Sequence, residues 1–381
     1  MSGPFCSMML ADMRADVVKI EPPGKGDYVR SQGNIVNGLS WYFAAFNRNK
    51  RSVSLDLRKA VGVKVLERLL ATADILTENF RPGVLDEMGL TKTRLSKINP
   101  DLIVVSVNGY GSEGPYRDRP AFDFIAQAMS GLMACNGTTE TGPLRCAPPL
   151  TDLIAGVYAA VGAIAALCGR DNGRPAQRVE SSMMMGMLSM LAYLSATQLA
   201  TGQAPPQTGN DHPVSAPYGL FDCADGQIAI APSNNPILKR FLDELGIAHL
   251  LEDPRFASNE QRLLHREAIN GYVTEALRTD TQAVWLKRLN DAGVPAGKVQ
   301  SLAEALYDPQ VAAQDMVLDV DHPGHGNVRM TGFPVKFSET PLRVRRPAPD
   351  LGADTRDVLR EAGYSEAEIA ALRADKAIEV L

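Results

Sequence analysis

The sequence predicts an α/β fold with two domains, and three observations support this prediction. A chain of 381 residues, 45% of them apolar, can bury a large core, and its length favours two domains over one. Over the first two hundred residues, short β-branched runs alternate with amphipathic segments, which is typical of a parallel sheet with helical crossovers. Near residue 201 the composition shifts towards Gly, Pro, Gln and Asn, which indicates a linker.

The β-branched runs predict strands, and the segments between and after them predict helices. The predicted strands are Asp16–Ile20, Ser52–Leu55, Asp74–Leu76 and Leu102–Ser106. The predicted helices of this part are Val61–Ala73, Val84–Ile98, Asp123–Leu132, Leu150–Gly169 and Ser181–Leu199. The apolar stretch from Leu150 to Cys168 contains Gly156 and Gly162 and begins beside Asp152, so we expect a buried helix rather than a membrane span.

The remaining chain predicts a smaller α+β domain after a linker at residues 201–217. Asp225–Gly226 lies between two strand-like runs and predicts a hairpin. The helices predicted after it are Asn235–Leu245, Ser258–Arg278 and Thr281–Ala292. From about Val317 to Arg346 the chain is predicted to be extended, and it then ends in two short helices, Thr355–Ala362 and Ser365–Ala377.

Charge and cysteine content argue against several classes of function. The net charge is −5 and the acidic and basic residues are interspersed, so neither a nucleic-acid partner nor a membrane partner is expected. The first residues lack a basic segment followed by an apolar one, which argues against secretion and favours the cytoplasm. The five cysteines form no CxxC pair and the five histidines form no HExxH motif. We therefore expect free thiols and no metal site.

Asp152 is the carboxylate that the sequence singles out. No GxGxxG, P-loop or GxSxG motif is present, and no Ser or Cys nucleophile with a paired base is evident. Asp152 follows Pro148-Pro149-Leu150-Thr151 and therefore lies where a helix begins. The free N–H groups and positive dipole end of a helix stabilise an ionised carboxylate. Periodicity alone favours the alternative that Asp152 or Thr151 simply caps the helix.

A set of collinear segments resembles the class III coenzyme A (CoA) transferase family, of the formyl-CoA transferase and carnitine-CoA transferase type. Together these segments span nearly the whole chain, which makes the combination specific. They are Leu10–Asp27, Asn47–Leu57, Ala73–Leu85, Gly109–Pro115, Phe122–Gly131, Leu150–Gly156, Gly173–Arg174, Gly209–Pro213, Tyr218–Phe221, Gly293–Gly297 and Phe333–Phe337.

The resemblance implies a ring-shaped chain in an interlocked homodimer. It assigns residues 1–200 and 318–381 to a large Rossmann-like CoA-binding domain and residues 218–317 to the small domain. The expected substrates are an acyl-CoA and a small carboxylic acid, with CoA as a substrate and no permanently bound cofactor. Asp152, in Leu150-Thr-Asp-Leu-Ile-Ala-Gly156, matches the catalytic aspartate. Its carboxylate is expected to form a covalent aspartyl intermediate.

The resemblance also implies binding residues. CoA is expected to contact five residues: Leu55, Arg58, Asn79, Phe80 and Arg81. Arg48, Lys50 and Arg51 are further candidates to face the phosphates, with the solvated surface as the alternative. Tyr42 and Phe122 match positions beside the reacting acyl group, and core packing is the alternative for both.

Two departures from related sequences separate the alternatives. Related α-methylacyl-CoA racemases place a proton-transferring His where this chain has Phe122, which favours a transferase over a racemase-like isomerase. The family carries a strand before the Gly-Pro that matches Gly3-Pro4; we expect a late start assignment, and the alternative is a shortened CoA-binding protein without turnover. The glycine-rich loop of oxalate-using members is not evident, so oxalate is not the expected acceptor.

Overall fold

The computed structural model describes residues 1–380 and shows an α/β fold. The residues form two compact units. The first comprises residues 1–132, 145–192 and the chain from Pro309 onward, and the second comprises residues 133–144 and 193–308. The domain assignment made from the sequence stays a prediction.

Strands and helices alternate through most of the first unit. The strands of the described chain are β1 (Val17–Glu21), β2 (Ile35–Val36), β3 (Leu39–Ser40), β4 (Lys50–Leu55), β5 (Ile75–Glu78), β6 (Ile103–Asn108), β7 (Gly137–Thr138), β8 (Gly142–Pro143), β9 (Arg178–Ser182), β10 (Gly219–Cys223), β11 (Gly226–Ile230), β12 (Ala296–Lys298), β13 (Val317–His322), β14 (Gly326–Thr331) and β15 (Ile378–Glu379). The α-helices are α1 (Ser2–Asp12), α2 (Trp41–Asn47), α3 (Ala60–Leu70), α4 (Val84–Glu87), α5 (Lys92–Ile98), α6 (Asp123–Met129), α7 (Leu132–Cys135), α8 (Leu150–Asp171), α9 (Met183–Met190), α10 (Ala192–Thr201), α11 (Asn235–Glu244), α12 (Asn259–Leu264), α13 (Arg266–Leu277), α14 (Gln282–Asp291), α15 (Leu302–Leu306), α16 (Pro309–Ala313), α17 (Thr355–Glu361) and α18 (Glu366–Ala374). Short 3-10 helices cover Tyr28–Ser31 and Ala248–Glu252.

Parallel strands form the framework of the first unit, as the sequence predicts. Strands β5, β6 and β9 pair in parallel in that order. Strand β1 pairs in parallel with β4, and β15 adds to β4 in the antiparallel direction. All four strands predicted from β-branched runs are present, within two residues of the predicted ends. Ligands bind at the carboxyl ends of such strands, so a ligand site is expected at the loops after β5 and β6.

Three predicted helices are interrupted by backbone breaks. The segment 84–98 contains α4 and α5, separated where Gly89 takes a positive φ. The segment 181–199 begins with the end of β9 and continues as α9 and α10, which meet at Ala192 with a positive φ. The segment 258–278 divides into α12 and α13 at His265. Hydrophobic periodicity continues across such breaks, which is why the sequence does not reveal them.

Helix α8 is the central helix of the first unit and carries the predicted nucleophile. It is long and apolar enough to cross a membrane by length and composition, and 44% of its most apolar window is buried inside the protein. Its face formed by Ala155, Ala159 and Ala163 is fully buried in the cluster that includes the β6 side chains. The helix packs against α1, α9, β6 and β9. This face therefore belongs to the core, as the sequence predicts.

The second unit is built on an antiparallel sheet. Strands β10 and β11 form the hairpin predicted around Asp225, and β12 pairs with β11. One side of this sheet packs against helices through a buried cluster that includes Phe221, Phe241 and Trp285. The segment 202–217 contains no helix or strand, which agrees with the predicted linker composition.

Candidate active site

The N-terminal ends of α1 and α8 lie side by side, and the loop after β5 contacts the start of α1. Ser2 is the first residue of α1 and Asp152 is the third residue of α8. The main-chain N–H of Gly3 donates to Oδ1 of Asn79, 3.1 Å away, in the loop that follows β5. Both helix dipoles direct their positive ends towards this place, which favours a negatively charged group there.

Asp152 is half-buried, and its carboxylate is engaged by a side chain of another helix. The Ser2 hydroxyl donates a hydrogen bond to Oδ1 of Asp152. The two helices come this close because Gly156, one turn after Asp152, has no side chain. A Cβ at position 156 would lie 2.8 Å from the carbonyl oxygen of Ser2 and 3.0 Å from the Phe5 ring. The glycine in this segment therefore sets the distance between Asp152 and its donor.

The first turn of α8 is capped by Asp123, a residue from a different helix. Oδ1 of Asp123 accepts from the main-chain N–H of Thr151 at 2.9 Å and from the Thr151 hydroxyl at 2.8 Å. Gln127, fully buried, donates to Oδ2 of Asp123 at 2.8 Å. The alternative that Asp152 or Thr151 caps α8 is therefore wrong, since Asp123 accepts the Thr151 N–H. The carboxylate of Asp152 is left for another role.

The loop after β5 places the three candidate CoA residues Asn79, Phe80 and Arg81 next to α1. Asn79 donates through Nδ2 to the carbonyl oxygen of Val107 at 2.6 Å, so its amide connects α1 to the end of β6. Phe80 and Arg81 are exposed. The structure therefore holds the loop by Asn79 and leaves an aromatic ring and a guanidinium on its surface.

Tyr42 lies within electrostatic reach of the candidate nucleophile. Burial raises the pKa of its phenol, and the negative charges of Asp152 and Asp123 raise it further. Its ring packs edge-on against Phe46, which packs in the same way against Phe5 of α1. The structure therefore places Tyr42 beside α1, the helix whose Ser2 contacts Asp152.

Phe122 immediately precedes Asp123 and is 80% exposed. This exposure argues against core packing of Phe122 within the first unit, which was the alternative for that residue.

The two candidates at the end of β4 have different surroundings. Leu55 is 1% exposed and packs in a cluster with Leu66 and Leu70, so any contact with a ligand here would have to use the main chain. Arg58 has a side chain that is 81% exposed and pairs with Asp56 at 2.8 Å. The described contacts of Leu55 and Arg58 do not include Asp152, so the role of both residues stays a prediction.

The three basic residues considered for phosphate contact are held by internal partners. Arg48 is buried and pairs with Asp12 at 2.8 Å. Lys50 is buried and donates to the carbonyl oxygen of Pro4 at 2.8 Å. Arg51 pairs with Asp16 and Glu361. The interpretation that they face the phosphates is wrong for Arg48 and Lys50, because their charged groups are turned inward.

The cysteines and potential metal ligands offer no competing centre. The five cysteines form no disulfide, and burial raises the pKa of the Cys6 thiol to about 12, which makes it a poor nucleophile. Among residues 1–380, no group of three or more His, Cys, Asp and Glu side chains is placed to hold a metal ion.

Two contacts were missed by the reasoning from sequence, those of Ser2 and Asp123. Both join helices that are more than twenty residues apart in the chain, so neither has a local periodic signal. The signal for Ser2 in the sequence is a polar residue directly before Gly3–Pro4 in a mostly apolar segment.

Comparison with known proteins agrees with the resemblance. A family model described as CoA-transferase family III matches residues 1–355. The acetyl-CoA:oxalate CoA-transferase of Acetobacter aceti is 37% identical over 370 residues, covering 97% of this chain and 94% of that protein. The succinyl-CoA–D-citramalate CoA-transferase of Chloroflexus aurantiacus is 34% identical, covering 99% of this chain and 95% of that protein. A crystal structure of a CaiB/BaiF family protein from Brucella suis superposes with a TM-score of 0.83 at 34% identity, covering 95% of this chain and 96% of that one.

Proposed function

This chain belongs to CoA-transferase family III, and we propose that it transfers CoA between carboxylic acids through a covalent intermediate on Asp152. The observation that carries this proposal is the placement of the Asp152 carboxylate. It lies at the meeting point of two helix N-termini, half-exposed, with α8 capped by Asp123 instead. A carboxylate held in this way is available to act as a nucleophile.

The proposed reaction uses each oxygen of Asp152 in a defined way. Oδ1 is engaged by Ser2, which leaves Oδ2 to attack the carbonyl carbon of the donor thioester. The C–S bond breaks, CoA leaves as a thiolate, and a mixed anhydride remains on Asp152. The thiolate then attacks Cγ of Asp152 and releases the donor acid, which leaves an aspartyl-CoA thioester. The acceptor carboxylate attacks that thioester and, in two mirrored steps, takes the CoA and regenerates Asp152.

The racemase-like alternative has less support. Removal and return of an α-proton needs a base on each face of the substrate, and Phe122 stands where related racemases have a histidine. The pKa of Tyr42 is raised by burial and by its acidic neighbours, which makes its phenol a weaker candidate for an ionised base at neutral pH.

The loop after β5 and the turn after β4 are proposed to bind CoA. The side-chain amide of Asn79 is held by the main-chain N–H of Gly3 and the carbonyl oxygen of Val107. Phe80 and Arg81 expose an aromatic ring and a guanidinium. These groups suit an adenine ring and a phosphate. Arg58 is proposed to reach the nucleotide end, and Leu55 to support the turn that carries it. Tyr42 and Phe122 are proposed to line the acyl site.

We expect Arg81→Ala to weaken CoA binding by roughly 10- to 100-fold, because a charge-assisted phosphate contact is worth about 1.5–3 kcal/mol. The turnover number should change less than about threefold, since Arg81 is not in contact with Asp152. Isothermal titration with CoA, together with steady-state kinetics, separates the two effects. Arg94→Ala is the matched control, because Arg94 is also exposed but pairs with Glu67. An unchanged CoA affinity in Arg81→Ala would remove Arg81 from the binding site.

The functional assembly is proposed to be an interlocked homodimer of ring-shaped chains. Each chain is proposed to contain a Rossmann-like large domain and to function in the cytoplasm. Support for the dimer comes from apolar side chains that the first unit leaves exposed on α8 and α9. Val161, Met185 and Met190 are each between 47% and 57% exposed. Apolar surface of this kind is typical of a protein interface, and a second copy of the chain is the proposed partner.

The donor and the acceptor acid can be identified with a panel of acyl-CoA donors and carboxylic acids, and the names of the relatives indicate which compounds to include. One relative is named for acetyl-CoA and oxalate, another for succinyl-CoA and D-citramalate, and a mouse relative for succinyl-CoA and glutarate. We propose to incubate the protein with each donor and each acid and to separate the CoA thioesters by chromatography. A new thioester that forms only when donor and acid are both present is the expected result. Release of free CoA alone, with every acid, would point to hydrolysis instead. The expectation against oxalate is tested in the same panel.

A further inference from the structure

We propose that the Ser2 hydroxyl is a catalytic hydrogen-bond donor that stabilises the negative charge on Oδ1 of Asp152 while Cγ of Asp152 is attacked. This inference rests on the proposed covalent role of Asp152. It assigns a chemical step to a residue that the sequence did not single out.

The position of Ser2 supports the proposal. Ser2 is fully buried, and its hydroxyl donates to Oδ1 of Asp152. A buried donor that already points at one carboxylate oxygen needs little reorganisation during the reaction. This preorganisation is what makes hydrogen bonds to developing charge effective in enzymes.

The start of α1 is held on three sides, so the hydroxyl is in a defined place. Gly3 donates to Asn79, and the buried Lys50 ammonium donates to the carbonyl oxygen of Pro4. On the third side, the absent side chain of Gly156 lets the Ser2 carbonyl approach α8 closely. These contacts surround the residue from β4, the β5 loop and α8, and they fix the donor relative to Asp152.

The charge on Oδ1 changes in a definite order during the reaction. When Oδ2 attacks the donor thioester, Oδ1 becomes the neutral carbonyl oxygen of the mixed anhydride. The CoA thiolate then adds to Cγ, and the electron pair of the Cγ=Oδ1 bond moves onto Oδ1. Collapse re-forms Cγ=Oδ1 and breaks the Cγ–Oδ2 bond, so the donor acid leaves with Oδ2. Addition of the acceptor carboxylate to Cγ places the same charge on Oδ1 again.

A donor to Oδ1 therefore acts selectively on the additions to Cγ. It stabilises the resting carboxylate and the two tetrahedral intermediates, but it has little to stabilise in the neutral anhydride. Loss of the donor should slow formation of the aspartyl-CoA thioester more than formation of the anhydride. A residue with a merely structural role would slow both steps alike.

The test compares Ser2→Ala with Ser7→Ala in single-turnover reactions. Ser7 lies in the same helix, and its hydroxyl bonds to the Pro4 carbonyl rather than to Asp152. Rapid quenching followed by intact mass spectrometry distinguishes an acyl adduct, the anhydride, from a CoA adduct, the thioester. We expect Ser2→Ala to form the CoA adduct roughly 100-fold more slowly and to accumulate the acyl adduct, because loss of one donor to an oxyanion costs about 10²–10³ in rate. CoA affinity should stay within about twofold, since the hydroxyl is engaged with Asp152.

The outcomes separate this inference from the proposed function. If Ser2→Ala forms the CoA adduct at the rate of the unmodified enzyme and of Ser7→Ala, the inference is wrong while the role of Asp152 stands. If both adducts form more slowly by the same factor, Ser2 is a structural residue and the inference is again wrong. If the unmodified enzyme forms no adduct on Asp152 during productive turnover, the proposed covalent function fails, and the inference fails with it.

Discussion

Replacement of Asp152 by alanine is expected to abolish CoA transfer while leaving CoA binding within about tenfold of the unmodified enzyme. Removal of a covalent nucleophile lowers turnover by several orders of magnitude, about 10⁴-fold or more, because the acyl transfer has no substitute path. CoA affinity depends on other groups, in this proposal Asn79, Phe80 and Arg81. The measurement is the chromatographic transfer assay together with titration of CoA.

The control for this variant lies on the same helix. Asp171→Ala removes a carboxylate from the other end of α8, where Asp171 is exposed and pairs with Arg170. We expect its activity to be close to that of the unmodified enzyme. Substantial turnover by Asp152→Ala, with the same products, would exclude Asp152 as the nucleophile.

Replacement of Asp12 by alanine is expected to destabilise the first unit strongly without changing CoA affinity. Asp12 and Arg48 form a buried pair, and Arg48 also donates to the carbonyl oxygens of Thr331 and Gly332. Removal of one partner leaves a buried charge uncompensated, which costs about 3–5 kcal/mol. The midpoint of thermal unfolding should fall by roughly 10 °C, and CoA titration below that midpoint should be unchanged.

A surface pair provides the comparison for the buried one. Asp16→Ala removes one of two carboxylates that pair with Arg51, and Asp16 is 70% exposed. Its effect should be within about 1 kcal/mol, as for other exposed pairs. A weaker CoA affinity in Asp12→Ala with unchanged stability would restore Arg48 as a phosphate ligand.

The framework of the fold is predictable from the sequence because its signals are local. The β-branched runs that predict β1, β4, β5 and β6 each lie within a few residues, and β-branched side chains are enriched in strands. Helix α8 is equally evident from its apolar length. The family resemblance adds order to these elements and identifies Asp152, which periodicity alone leaves as a possible cap.

The contacts around the site are not predictable in this way, since they are tertiary. Arg48, Lys50 and Arg51 look like a basic surface patch in the sequence, because Lys and Arg are usually exposed. Two of their actual partners, Asp12 for Arg48 and the Pro4 carbonyl for Lys50, come from α1 and lie more than thirty residues earlier in the chain. The cap of α8 is equally hard to predict from the sequence, because Asp123, which provides it, lies 28 residues before Thr151.

The covalent role of Asp152 is tested most directly by mass spectrometry of the purified protein after incubation with acyl-CoA donors. Samples with and without hydroxylamine treatment are digested and the peptide that contains Asp152 is measured. We expect a mass gain on Asp152 with at least one donor that also supports transfer, and we expect hydroxylamine to displace this adduct and leave an aspartyl hydroxamate. A donor that supports rapid transfer while the Asp152 peptide stays unmodified at every time point would contradict this role.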